Sequence, residues 1–379
     1  MALRAEALLI LAIFFGALLL GYIKRIRFDR WLILPAVALT WMAIVTITST
    51  NPALSALRFA AGAATFIVFV ATLRTAEGGR AFLLLLVLPL GAAAVNAVVD
   101  ILEELNLWMP FPETPQLSHH LQCYAFIGNP NEVGSYLAVA ALACLAAAIA
   151  DDERRIVFGI AAAVLASGVV ASQTLTALIA LVAGTFVLFA LRSWKHAVGV
   201  AVIALLAVVC VPPLRTRALY ITHSFRSGDY NGLVSDRLAP YVSALMMTAD
   251  HPLAGVGPGA FEWNYYVYKE RAEQRYPPLQ KAWNRGMNFG EVHNDHLQVL
   301  AEAGVPGYGI FVAFAAMLGS ISVGGVPAGE RAPQRFALLL ALPLAVLWLV
   351  LSLAQFPLES TAVRMLIVHF AALCVAWRP

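Results

Sequence analysis

Eleven runs of about 20 apolar residues divide this 379-residue chain, and they leave few folds open to it. They lie near 6–23, 31–48, 53–73, 81–99, 132–150, 155–171, 174–191, 196–212, 296–323, 335–354 and 360–377. A bilayer core roughly 30 Å thick asks about this many apolar residues of a helix, at a rise of about 1.5 Å each. The runs are rich in Ala, Leu and Val and lack the alternation of a barrel strand. The expected fold class is therefore all-α, a polytopic membrane protein with about 11 (10–12) transmembrane helices. The 155–191 pair also admits a partly re-entrant arrangement. With 61% hydrophobic and 12% charged residues, a soluble domain of this length is excluded.

Charge in the connections gives the orientation. Lys24, Arg25, Arg27 and Arg30, then Arg74 and Arg80, Arg154 and Arg155, Arg192 and Lys195, Arg331 and Arg335, and Arg378 fall on alternate connections. Thirteen basic residues thus share one side, against Arg4 in the short connections of the other. The C-terminus is expected in the cytoplasm. The expected domains are an N-terminal bundle over 1–212, an extracytoplasmic loop domain with short helices over 213–295, and a C-terminal bundle over 296–379. The first apolar run lacks a small-residue cleavage site and reads as a helix rather than a signal peptide. A net charge of +3 without basic, aromatic-interleaved stretches excludes a nucleic-acid surface. Of four cysteines, Cys123 and Cys210 are a possible outer-side disulfide, and no Cys/His spacing of a metal site is recognised.

Polar residues concentrate where the long loop re-enters the bilayer. In Glu291-Val-His-Asn-Asp-His-Leu-Gln298, a capping-box pattern over Asp295–Gln298 predicts a helix from Asp295. His293 then sits just before a helix N-terminus, where a neutral imidazole is favoured, as a general base requires. Arg237 precedes a short amphipathic segment; its guanidinium suits a diphosphate, with a partner for Asp236 as the structural alternative. Gly255-Val-Gly-Pro-Gly259 forces tight turns, with or without an anion on its amides. Asn129-Pro-Asn131 offers amides on the same side, or a turn and a helix cap. Glu302 lies two turns into the next helix, where a carboxylate needs a partner.

These pieces, ending in His293-Asn-Asp-His-Leu-Gln-Val-Leu-Ala-Glu302-Ala-Gly-Val-Pro-Gly307, resemble the O-antigen ligase and Wzy-type polymerase superfamily of bacterial membrane glycosyltransferases over about 125–325. The resemblance implies transfer of a glycan from an undecaprenyl-diphosphate carrier to lipid A core, a growing polymer or protein, on the extracytoplasmic side of the inner membrane. It implies that Arg237 binds the diphosphate and that His293 is the base. Asn129, Asn131, Asn294, His296 and Glu302 are the expected substrate contacts beside them. One position departs from the pattern: an arginine expected in Ser172-Gln-Thr-Leu-Thr is Leu175 here. Arg58 and Arg364, near the outer ends of their spans, are expected to replace that charge at the substrate, or else to snorkel to the interface.

No Asp-x-Asp pair stands on the outer side, so a metal-independent, inverting displacement without a cofactor is expected. A transporter is the rival reading, although neither an internal repeat nor mid-membrane polar residues speak for it. A member that binds lipid-linked glycan without transferring it is the third.

Overall fold

The computed structural model describes residues 30–77, 82–111, 118–279, 289–325, 327 and 329–378. Among them every regular element is helical. A 3-10 turn at Arg30–Leu32 leads into α1 (Ile33–Ile47), followed by α2 (Pro52–Glu77) and α3 (Phe82–Glu104). A second 3-10 turn (His119–Gln122) precedes α4 (Pro130–Ala150), α5 (Arg155–Ala171), α6 (Leu175–Ala190) and α7 (Trp194–Cys210). Four shorter helices come next: α8 (Pro212–Ser227), α9 (Tyr230–Leu233), α10 (Leu238–Asp250) and α11 (Phe261–Arg275). The chain ends with α12 (Asp295–Ser320), α13 (Ala332–Leu351) and α14 (Thr361–Ala376).

Ten of the eleven predicted spans fall on these helices, and the run at 6–23 lies outside the described residues. Six helices (α1 with its leading turn, α2, α3, α4, α12 and α13) are long and apolar enough to cross a membrane by themselves. Among the described residues the expected count of about eleven is therefore not confirmed. The physical reason is length: α5, α6 and α14 have 17, 16 and 16 residues, or about 24–26 Å at 1.5 Å per residue. The α7–α8 pair bends by 85° at its break.

Helix α4 is the axis of the bundle. It is buried on every face, as a helix without a polar stripe must be. Its run of alanines lets neighbours approach closely. At Gly168 of α5 an added Cβ would lie 2.9 Å from the Ala97 Cβ of α3 and 2.6 Å from Leu137 of α4. Arg335 of α13 reaches Asp152 and the Ile149 carbonyl at one end of the bundle, both at 2.9 Å. Arg74, Arg154, Arg155, Arg331 and Arg378 flank helix ends on that same side.

The candidate site residues gather at the opposite end, where α12 is broken. Gly304 has φ +67° and ψ −175°, a conformation suited to glycine, and Pro306 has no N–H to give. The freed backbone groups find partners outside the helix. Trp41 Nε1 donates to the Ala303 carbonyl at 3.0 Å, and the Val305 N–H to the Pro252 carbonyl at 2.8 Å. The Val256 and Gly257 amides donate to the carbonyls of Ala301 and Glu302 at 2.8 and 3.0 Å. Residues 252–257 thus lie along the broken helix. A second hydrophobic core of Met247, Val256, Phe261, Tyr265 and Val292 packs there, separate from that of the bundle.

Candidate functional site

Asn294 is the N-cap of α12, one residue before the cap the sequence pattern suggested. Its Oδ1 accepts from the Leu297 N–H at 3.0 Å, and its Nδ2 donates to the Leu353 carbonyl at 2.8 Å. Gln298 reaches back and accepts from the Val292 N–H at 3.0 Å. These bonds hold His293 in the left-handed region, at φ +58°. The two residues before Arg237, Ser235 and Asp236, are also left-handed, at φ +54° and +63°. Such backbone is costly for residues with a Cβ, by roughly 1–2 kcal/mol each, and it clusters at functional sites.

His293 is partly buried between the rings of Phe289 and Phe356, whose centroids lie 5.9 and 4.8 Å away, both edge-on. Its Nδ1 is buried and has no hydrogen-bond partner among the described residues. Burial and the nearby Arg237 guanidinium push the imidazole down to about 4, so it is neutral at pH 7. Arg237 donates to the Ala354 carbonyl at 3.0 Å and has no carboxylate in salt-bridge range among the described residues. Burial lowers its pKa, opposed by Tyr241. The Tyr241 hydroxyl in turn donates to the His293 carbonyl at 3.4 Å. A neutral imidazole with a free nitrogen thus stands within electrostatic reach of an arginine whose charge no acid offsets.

Other expected substrate contacts have internal partners. Glu302 accepts from the Gly259 and Phe261 amides at 2.8 and 3.3 Å. The acceptor on the glycine-rich turn is therefore the protein's own Glu302 carboxyl group, which fastens that turn to the broken helix. The Leu349 carbonyl can only accept, so His296 Nε2 carries the proton towards it at 3.1 Å. His296 Nδ1 accepts from the Tyr308 hydroxyl at 3.2 Å. Asn129 caps α4 by accepting from the Asn131 N–H at 2.9 Å. Asn131 Oδ1 lies 3.5 Å from both Thr174 Oγ1 and Gln355 Nε2. Leu175 begins α6 directly after Thr174.

The sequence reading missed the segment that unites these groups, residues 352–360 between α13 and α14. Its Leu353 and Ala354 carbonyls meet Asn294 and Arg237, Phe356 packs on His293, and Gln355 reaches Asn131. Buried Asp295 accepts from its Leu358 N–H at 3.0 Å, and Ser360 hydrogen-bonds Glu132. Glu359 forms an ion pair with Arg58, and the Leu358 carbonyl accepts from Arg364. No local periodicity marks such a segment. Only the charged Glu359 in Ser352-Leu-Ala-Gln-Phe-Pro-Leu-Glu359, between two apolar runs, hinted at it.

Arg58, Arg364, Glu302 and Glu359 line a cavity of about 310 Å³ between α1, α2, α12 and α14. Its remaining wall is apolar, including Leu39, Met42, Phe66, Phe69, Phe314 and Trp348. Both in-span arginines therefore face the bundle interior, and neither carries a bare charge. Arg58 is paired with Glu359, and Arg364 Nε donates to Thr65 at 3.1 Å. Glu291 lies near enough to Glu359 and Arg58 to feel their charges; burial raises its carboxyl, Glu359 raises it further, and Arg58 opposes them.

No curated protein matches the chain. A family model described as O-antigen ligase matches residues 160–312, a stretch that holds Arg237 and His293 but not Asn129, Asn131, Arg58 or Arg364. By that match, residues 160–312 of this chain are similar to the O-antigen ligase family.

Proposed function

We propose that the chain transfers a glycan from an undecaprenyl-diphosphate carrier to a hydroxyl acceptor, with Arg237 at the diphosphate and His293 as the base. The observation that carries this reading is the pairing of an uncompensated Arg237 with a neutral His293 whose Nδ1 is free. The acceptor oxygen attacks the anomeric carbon and its proton passes to His293. The bond from that carbon to the phosphate oxygen breaks, and undecaprenyl diphosphate leaves with the electron pair. Fixed positive charge at Arg237 favours that departure, and the attack inverts the anomeric centre.

The pKa shift gives the two residues an order of action. In the free protein burial and, after it, the Arg237 charge hold His293 down at about 4, which makes it a weak base. A diphosphate on Arg237 offsets that charge and adds negative charge beside the imidazole. His293 then becomes more basic, so donor binding prepares the base.

The apolar cavity suits isoprene units of the carrier. Its lining residues Leu358 and Glu359 are separated by at most five chain steps from Ala354, which meets Arg237. Five extended residues span no more than about 18 Å. In this reading Arg58 and Arg364 shape the polar mouth with Glu359 rather than clamp the diphosphate. The site end faces the extracytoplasmic side of the inner membrane, residues 213–295 form a domain there, and the arginine-flanked end faces the cytoplasm.

The test is donor binding by the purified protein in detergent. Arg237→Gln is expected to weaken binding of undecaprenyl-diphosphate glycan at least tenfold, and Ala61→Phe, which fills the cavity, to weaken it too. Unchanged affinity in both variants overturns the assignment.

A further inference from the structure

A second group of ligand-type side chains lies at the site end of α3, outside the machinery described above. Glu104 closes α3, and the 3-10 turn His119–Gln122 with Cys123 folds against it. One ligand atom each from Glu104, His119 and Cys123 lie within 4.8 Å of one another. His119 Nε2 is 3.6 Å from Cys123 Sγ, and His120 Nδ1 is 3.5 Å from Glu104 Oε2. All four cysteines are free, so the Cys123–Cys210 pairing that the sequence left open does not form, and Cys123 is fully buried.

A second observation points to a missing partner. Glu104 Oε2 and His120 Nδ1 are buried and, apart from their 3.5 Å contact with each other, make no hydrogen bond among the described residues. Glu103 has no exposed surface; one carboxylate oxygen accepts from the Ala125 N–H at 2.7 Å, and the other is unpartnered. Asp100, one helical turn earlier and equally buried, leaves both oxygens unpartnered. Acids, imidazoles and a thiol are thus gathered with open donor atoms, and no lysine or arginine forms a salt bridge to them among the described residues. Buried polar atoms left this way are expensive, at roughly 1–3 kcal/mol each. A divalent cation would satisfy several at once.

We propose that Glu104, His119, Cys123 and His120 bind a structural zinc ion. A mixed sulfur, nitrogen and oxygen set suits a borderline-soft, tetrahedral cation, whereas calcium and magnesium prefer oxygen alone. Zinc–ligand distances of about 2.0–2.3 Å require Glu104, His119 and Cys123 to close by on the order of 1 Å from the present spacing, and His120 to swing in from its place beside Glu104.

The ion would act on architecture rather than chemistry. The other oxygen of Glu104 accepts from Gln173, which has φ +50° and precedes Thr174. Thr174 Oγ1 bonds the Pro130 carbonyl at 3.2 Å and approaches Asn131. A metal on Glu104 therefore braces the α5–α6 turn against the start of α4, where Asn131 meets the 352–360 segment.

The test uses the full-length protein, stripped with a chelator and reloaded with zinc or cobalt. X-ray absorption of the zinc form is expected to show one sulfur neighbour at about 2.3 Å with nitrogen and oxygen neighbours at about 2.0–2.1 Å. The cobalt form should show a thiolate charge-transfer band that Cys123→Ser removes. Zinc should raise the thermal midpoint of the parent protein, and that shift should disappear in the His119→Ala, Cys123→Ser double variant. A shell without sulfur, or equal metal content in parent and double variant, overturns the proposal. The absorption measurement needs no variant, so misfolding of the substituted proteins leaves it decisive.

Discussion

At the scale of single residues, electrostatics ties His293 to Arg237. Burial and the Arg237 charge both lower the imidazole, so removing the charge must raise it. In Arg237→Gln, residual transfer is expected to lose activity at a higher pH on its acid side than the parent does, read from rates across pH 4–8. An acid limb that does not move, or moves down, contradicts the coupling. In the parent, the acid limb of kcat/KM reports the free protein and that of kcat the donor complex. The second is expected at higher pH, because bound diphosphate makes His293 more basic. The same shift bears on stability. Between about 4 and 6.5 the unfolded chain binds the proton that folded His293 refuses. This contribution is intact above pH 6.5 and lost as the pH falls towards 4. The places of His293 and Arg237 just before helix starts were legible in the sequence. The roles of Asn294, His296 and Glu302 were not, because their partners Leu353, Leu349 and Gly259 come from separate elements.

At the scale of elements, the broken α12 and the turn beside it form one unit. Gly255 has φ +64°, and an added Cβ would lie 2.3 Å from the Glu302 carbonyl carbon. Neither the backbone nor that neighbour has room to give. Gly255→Ala is expected to destabilise the protein by about 1–3 kcal/mol, read as a lowered unfolding midpoint in detergent. Gly309→Ala, on the same helix with nothing within 4 Å of the added atom, is the control and should leave the midpoint in place. Equal behaviour of the two variants would show that the turn does not dock as described. The sequence signalled the break through Gly304-Val-Pro-Gly307, and its apolar periods located ten helices in the described residues. Its count of about eleven spans is not confirmed among the described residues, since composition registers apolar runs but not that α5, α6 and α14 are short or that α7 turns sharply into α8. The 352–360 segment stayed hidden for another reason: its importance lies in contacts with α2, α4 and the starts of α10 and α12 that no local pattern encodes.

For the whole molecule, the sorting of charge is the testable property. Arginines flank one end of the bundle, while His293, Arg237 and the cavity mouth occupy the other. In a background without native cysteines, a cysteine at Gly232 is expected to react with an impermeant thiol reagent in right-side-out vesicles, and one at Gly329 is not. Reversed labelling would place the site on the wrong side for a lipid-linked donor presented outside.

The central claim is that one protein breaks the glycan–diphosphate bond and passes the glycan to a hydroxyl through His293. Its most direct test is purified protein with undecaprenyl-diphosphate glycan and a hydroxyl acceptor, following glycan transfer and release of undecaprenyl diphosphate together. The parent is expected to give equal amounts of the two products. His293→Ala should bind the donor with parental affinity while transfer falls by a factor of roughly 10²–10⁴, the usual contribution of a general base. Transfer by His293→Ala at the parental rate, or release of carrier without glycan transfer by the parent, would contradict the account.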